Sequence, residues 1–250
     1  MAKSNPPSVT GDADAVACEE AFRALPGYDA GNSRATLLPI DAAAIASLQQ
    51  PAARAQLEAR LLTSLNTTGS AVAKEYICSQ LAIIGSKDAV PALAALLDEP
   101  VLATAARNAL ERIPGAAPSA ALRKALPKSQ GSSRLGIVQS LAARRDASSV
   151  GLLGTLLRNP DLQLAGAAAA ALGEIGTSRA GRTLRESFGA ASASLKREMA
   201  DAMLVCAERL DESGHRAEAE ALLRPLVGSG LPEHIARAAS QGLNRLAQHR

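Results

Sequence analysis

The sequence predicts an all-α fold: an α-solenoid of about six two-helix repeats, wound as a right-handed superhelix behind an N-terminal helical cap. Three observations predict it. Large apolar residues recur in pairs four apart, at Leu93/Leu97, Leu122/Leu126, Leu153/Leu157, Leu184/Phe188 and Leu222/Leu226, with steps of 29, 31, 31 and 38 residues between first members. A second series, at Leu81/Ile84, Leu110/Ile113, Leu172/Ile175, Ala207/Leu210 and Leu243/Leu246, keeps the same order behind the first. Self-similarity of this length marks stacked helical units that cannot bury their apolar faces alone. Runs of β-branched residues with period-2 alternation are absent, which speaks against a sheet.

Composition agrees. Of 250 residues 47% are apolar but only 2% aromatic, so core volume must come from Leu, Ile, Val and Ala, which suits close helix packing. Taken in order, residues 1–11 contain Pro6-Pro7, Ser and Gly and read as a disordered tail. Residues 12–50 read as the helical cap. Asp12 or Asp14 suits an N-cap, Phe22 and Leu25 face inward, and Pro26-Gly27 ends the first helix. The rest of the cap carries Leu37, Leu38, Ile40 and a short helix around Ile45. The repeats fill 51–250, with approximate bounds 51–85, 86–115, 116–146, 147–176, 177–214 and 215–250.

The fourth repeat shows the logic most plainly. Val150, Leu153 and Leu157 form one helical stripe; Leu164, Ala168, Leu172 and Ile175 form the next. Asn159-Pro160-Asp161 breaks the chain between them, and Gly176 suits the left-handed position after a helix. Two glycines in its first helix, Gly151 and Gly154, read as close packing. The fifth repeat has a longer second helix, 195–210.

LAIIGSKDAVPALAALLD (residues 81–98) and LGEIGTSRA (residues 172–180) resemble HEAT repeats, especially the short bacterial kind named after the phycobilin lyases. The resemblance implies a solenoid whose second helices line a concave face. It departs from the family at a position seven residues before the second-helix leucine. Lys74 and Arg134 keep the basic residue common there, whereas Ala103, Ala165 and Ala236 do not.

No chemistry is spelled out by motif. Glu19-Glu20 and Asp211-Glu212 are sequence neighbours whose side chains diverge on a helix. His215, His234 and His249 stand in no metal spacing, and no GxSxG elbow or phosphate-binding glycine loop occurs. Cys18, Cys78 and Cys206 form no CxxC; the latter two read as small hydrophobes inside helices. No cofactor, metal or catalytic group is therefore expected. No stretch is apolar enough to span a bilayer and no signal peptide is visible, so the reading is a soluble cytoplasmic monomer, or periplasmic if a leader has been removed.

Charge is uneven. Residues 101–160 carry nine Lys/Arg against Glu111 and Asp146, giving +7, while the chain as a whole is +3. Helix-end chemistry accounts for part of this, at Arg123, Lys124, Lys128, Arg144 and Arg145.

The function expected is a non-catalytic protein-binding scaffold. Counting back from the second-helix leucine, positions six, three and two residues earlier should be exposed. That gives a small apolar floor with Arg107, Val138, Gln139, Ala169, Ala170, Asp201 and Val205 as candidate partner-binding residues, and Arg134 is added as a charge toward which an acidic end of the partner would lie. Gly166, Leu135 and Leu204 belong to the same count. The partner would be another protein, presenting an acidic or helical segment. One alternative is nucleic-acid binding through 101–160, opposed by the mild net charge and the scarcity of aromatics. The other is a bilin lyase-like factor, suggested only by the name of the repeat family.

Overall fold

A computed structural model describes residues 9–228 and 230–248. Most of the expected tail, residues 1–8, and His249 lie outside them. Among the described residues there is no strand, and the fold is an all-α solenoid of stacked helical pairs. The chain divides into two compact units, Met1–Ala121 and Leu122–Arg250.

The first unit holds α1 (Val9–Ala24), α2 (Leu38–Ser47), α3 (Pro51–Thr67), α4 (Ala71–Ile84), α5 (Val90–Ala95), α6 (Ala103–Arg112) and the start of α7 (Ala117–Ala125). The opening helix begins at Val9, ahead of the expected caps: Asp12 and Asp14 lie inside it. Leu25 is fully buried, but Phe22 is only half-buried, with the Arg60 guanidinium 4.0 Å above its ring. Leu37 and Ile40 enter the core, whereas Leu38 and Ile45 remain exposed.

Polar groups fasten these segments to α4. The Tyr76 hydroxyl lies 3.2 Å from the Leu37 carbonyl and 3.0 Å from Asp41 Oδ1, with Arg34 stacked 4.7 Å over the ring. Burial, with the Asp41 carboxylate beside it, pushes the Tyr76 phenol well above its ordinary range. Arg54 donates from Nε to the Ile84 carbonyl at 2.6 Å and from Nη2 to that of Gly85 at 3.0 Å. A guanidinium here satisfies carbonyls that the end of α4 leaves without helical partners. Buried Glu58 accepts the Ser86 N–H at 2.7 Å, so the first repeat secures the loop that opens the second.

In the second unit come α8 (Gly131–Ala143), α9 (Val150–Leu156), α10 (Leu162–Ile175), α11 (Ser178–Phe188), α12 (Ala193–Glu212), α13 (Arg216–Leu223) and α14 (Glu233–Gln248). They pack in two layers. The first helices α9, α11 and α13 form one; the second helices α8, α10, α12 and α14 form the other. The leucine register holds through both units. Leu93, Leu97, Leu122, Leu126, Leu153, Leu157, Leu184, Leu222 and Leu226 are buried, as are Leu81, Ile84, Leu110, Ile113, Leu172, Ile175, Ala207, Leu210 and Leu246. Phe188 and Leu243 are half-buried.

Local signals explain the boundaries. Asp161 caps α10, its Oδ1 accepting the N–H groups of Gln163 (2.9 Å) and Leu164 (3.3 Å). Thr177 caps α11 and Ser192 caps α12 in the same manner. Gly176 adopts φ +62°, the left-handed turn that closes α10, and a side chain there would collide with Arg209. Two first helices are shorter than periodicity implied. Single 3₁₀ turns, Lys87–Ala89 and Ala147–Ser149, lead into α5 and α9.

Ala168 is fully buried on α10. Ala168→Leu should therefore overpack the layer and lower stability by roughly 1–3 kcal/mol, visible as a depressed Tm in thermal denaturation.

Candidate partner-binding face

The second-helix layer of the C-terminal unit presents a row of side chains set by helical rotation. Each residue turns roughly 100°, so a side chain two positions from the core leucine points nearly opposite to it. Gln139 and Ala143 on α8, and Ala170 and Glu174 on α10, occupy those positions and are exposed. On α12 the corresponding groups are Val205 and Arg209, both half-buried, with exposed Asp201 one turn before and Glu208 beside them.

Two contacts make the row continuous from α10 to α12. Glu174 pairs with Arg209 across the helices. Glu198 lies over Gly166, where an added Cβ would meet its Oε2 at 2.9 Å. Toward α8, Ser132, Leu135 and Gln163 share a cavity of about 330 Å³ with Arg134, between the N-terminal ends of α8 and α10.

Three expectations need correction. The helical count places Val138 and Ala169 on the exposed floor, but both are fully buried. The position three residues before the leucine is only about 60° from it around the helix, so it falls within the buried sector. Gly166 is buried too, beneath Glu198. The surface left is accordingly not an apolar floor. It is uncharged at Gln139, Ala143 and Ala170 on α8 and α10, carries the Glu174–Arg209 pair between α10 and α12, and is acidic along α12 at Glu198, Asp201 and Glu208. Positions two residues after the leucine were missed, although the same rotation that exposes Ala170 exposes Glu174.

Of the other candidates, Arg134 is half-buried in the cavity described above. Arg107 lies in the N-terminal unit, half-buried on α6, where its Nη1 donates to Glu111 at 3.1 Å. Arg123 likewise spends its charge on Asp146, at 2.5 Å across the loop joining α8 to α9. These two pairs use Glu111 and Asp146, so the excess of +7 is carried by the other basic residues, of which Arg112, Lys124, Lys128, Arg145 and Arg158 are exposed.

A different surface carries exposed apolar groups in the N-terminal unit. Leu38, Ala42, Ala46 and half-buried Cys18 line a cavity of about 680 Å³ formed by α1, α2 and α3, with Val16 and Ile45 exposed on the same helices. Burial raises the Cys18 thiol, and pushes those of fully enclosed Cys78 and Cys206 up to about 12. The thiolate is the reactive form. At about pH 8, native protein should therefore release one equivalent with an Ellman-type reagent, from Cys18, and the remaining two only after denaturation.

Among the described residues, no group of three or more His, Cys, Asp or Glu converges as a metal site, and no helix is long and apolar enough to cross a membrane.

Residues 117–204 match the family model for HEAT repeats, which span the third to fifth repeats of this chain. Over that stretch the match agrees with the resemblance carried by residues 172–180; residues 81–98, which carry the other part of it, lie outside the matched range. No curated protein matches the chain. Among solved structures it is similar to the complex of CpcE and CpcF of phycocyanin lyase from Nostoc sp. PCC7120, at 18% identity, covering 98% of each chain with a TM-score of 0.43.

Proposed function

We propose that this protein is a non-catalytic scaffold that binds a partner protein along the second helices of its C-terminal unit, the side that HEAT arrays make concave. The observation that carries this reading is the row running from Gln139 and Ala170 to Asp201 and Glu208. Small uncharged residues at its start let a backbone come close, and a segregated acidic end gives the partner an orientation. An elongated segment crossing α8, α10 and α12 would set its basic end against α12. Its acidic end would lie toward Arg134.

The scaffold reading is also supported by what the titrating groups do. Arg107, Arg123, Arg209 and Arg224 are each engaged by a carboxylate within their own compact unit. Such pairs hold neighbouring turns and helices of the stack together. The test begins with affinity capture from the source organism under native conditions. The captured protein is then titrated calorimetrically against wild type and against Asp201→Lys. Reversing that exposed charge should weaken binding about tenfold, mostly at low salt. Unchanged affinity at both salt concentrations would contradict the proposed orientation.

A further inference from the structure

Helix α2 is apolar on two sides. Ile40 and Ala44 enter the core, yet Leu38, Ala42 and Ile45, spaced i, i+4 and i+7, form a second stripe that is exposed. Its single charged residue, Asp41, is taken by Arg34 and the Tyr76 hydroxyl. A helix that is apolar all round belongs in an interior. Beside it, α1 shows Val16, Glu20 and Arg23 at the same spacing, all exposed. The cavity of about 680 Å³ lies at these two helices, lined by Ala15, Ala17, Ala43 and Ala46. A solenoid needs a polar outer face on its terminal element to stay dissolved, and this end lacks one. The clustering is local. Val16, Leu38, Ile45 and Leu48 are four of the eight large apolar side chains exposed among the described residues, whereas Ile83, Val101, Leu162 and Val227 stand on separate elements. Single exposed apolar groups are ordinary; a cluster calls for a cover.

We infer that this surface is a homodimer interface, covered by the same surface of a second copy. Three features select a copy over an unrelated partner. The surface carries a ridge, at Leu38 and Ile45, and an alanine-lined recess beside it, so under two-fold symmetry each copy seats its ridge in the other's recess. Glu20 and Arg23 share the exposed stripe of Val16 with opposite signs, and neither has an ionic partner among the described residues. Neighbouring Glu19 is already held by Arg60 at 2.6 Å. An antiparallel crossing of α1 on its copy sets each Glu20 against the other's Arg23, whereas a partner of single sign is repelled by one of them. Finally, the last helix, α14, exposes Glu233, Arg237, Gln241 and Arg245, so it offers the ridge no apolar counterpart and pairing closes at two copies. A standard interface takes about 20–30 residues a side, more than one face of two short helices supplies, so the dimer forms in the micromolar range. It departs from the monomer expected from the sequence, and it is independent of the second-helix row, which lies in the C-terminal unit.

Sedimentation velocity of the full chain over a concentration series tests this. A monomer–dimer equilibrium is expected, with no larger species. Ile45→Glu buries an unpaired carboxylate in each half of the interface and should weaken association about a hundredfold or more. Val101→Glu is the control, at a side chain as exposed as Ile45 (64% each), and should leave association unchanged. Both variants should melt like wild type when dilute, since both sites are at the surface. Glu20→Arg and Arg23→Glu should each weaken self-association about three- to tenfold at low salt. An equimolar mixture of those two variants should recover it, because only the mixed dimer sets opposite charges together. Cys18 lines the recess, so its reaction with the Ellman-type reagent should slow as protein concentration rises, still giving one equivalent. A monomer at every concentration would overturn the interface, as would association that survives Ile45→Glu or is lost equally in Val101→Glu. No recovery on mixing, or a sedimentation coefficient that keeps climbing with concentration, would overturn the two-fold pairing.

Discussion

Replacing Gly173 with leucine is expected to lower stability by roughly 3 kcal/mol or more, the upper end of what overpacking produces. Gly173 sits where α10 and α12 come together. An added Cβ would lie 2.7 Å from the Ala202 carbonyl oxygen and 3.0 Å from its Cα. Both obstacles are backbone, so no rotamer change relieves the clash and the two helices must separate. The cost then spreads to Ala168, Leu172, Met199 and Met203, all buried in the same two helices. Gly189→Ala is the matched control. Nothing lies within 4 Å of its added Cβ, and the change should stay within about ±0.5 kcal/mol. Chemical denaturation of the two variants measures the difference directly. A Gly173→Leu protein as stable as Gly189→Ala would mean that α10 and α12 are not in backbone contact.

The second large effect is on binding. Ala170→Arg places a long cation at the centre of the row, on an exposed position, and should reduce partner affinity roughly a hundredfold, about 2.8 kcal/mol. Because the site is at the surface, the melting temperature should barely move. Gln139→Arg, also exposed, should act in the same direction. Arg182→Glu on exposed α11, in the other helix layer, should leave affinity unchanged. Calorimetric titration of the three variants checks all of this. A loss confined to Arg182→Glu would move the binding surface to the first helices.

The sequence foretold the core better than the surface, and the reason is physical. Leu172 and Ile175 declare themselves because burial demands volume and periodicity repeats the demand in every unit. Gly176 was equally legible, since a left-handed turn admits few residues besides glycine. Exposure is harder to read, because it depends on which flanks of a helix its neighbours cover. Ala169 sits about 60° from Leu172, and only the presence of α8 and α12 on either side decides that it is buried. The covering of Gly166 by Glu198 joins residues of different helices, as does the Glu174–Arg209 pair, and no local pattern encodes either. Arg134 stands out in the sequence because, with Lys74, it keeps the basic residue that Ala103, Ala165 and Ala236 replace. That its Nε is buried without a hydrogen-bond partner among the described residues depends on the folded arrangement, which no local pattern encodes.

Amide hydrogen exchange on the complex tests the central claim most directly, since it reports which helix layer the partner covers. Binding along the second helices should slow exchange in 131–143, 162–175 and 193–212, strongest around Gln139, Ala170 and Asp201. Exchange in α9, α11 and α13 should be nearly unchanged. Protection concentrated in α9, α11 and α13, with the second helices exchanging as in the free protein, would contradict the account.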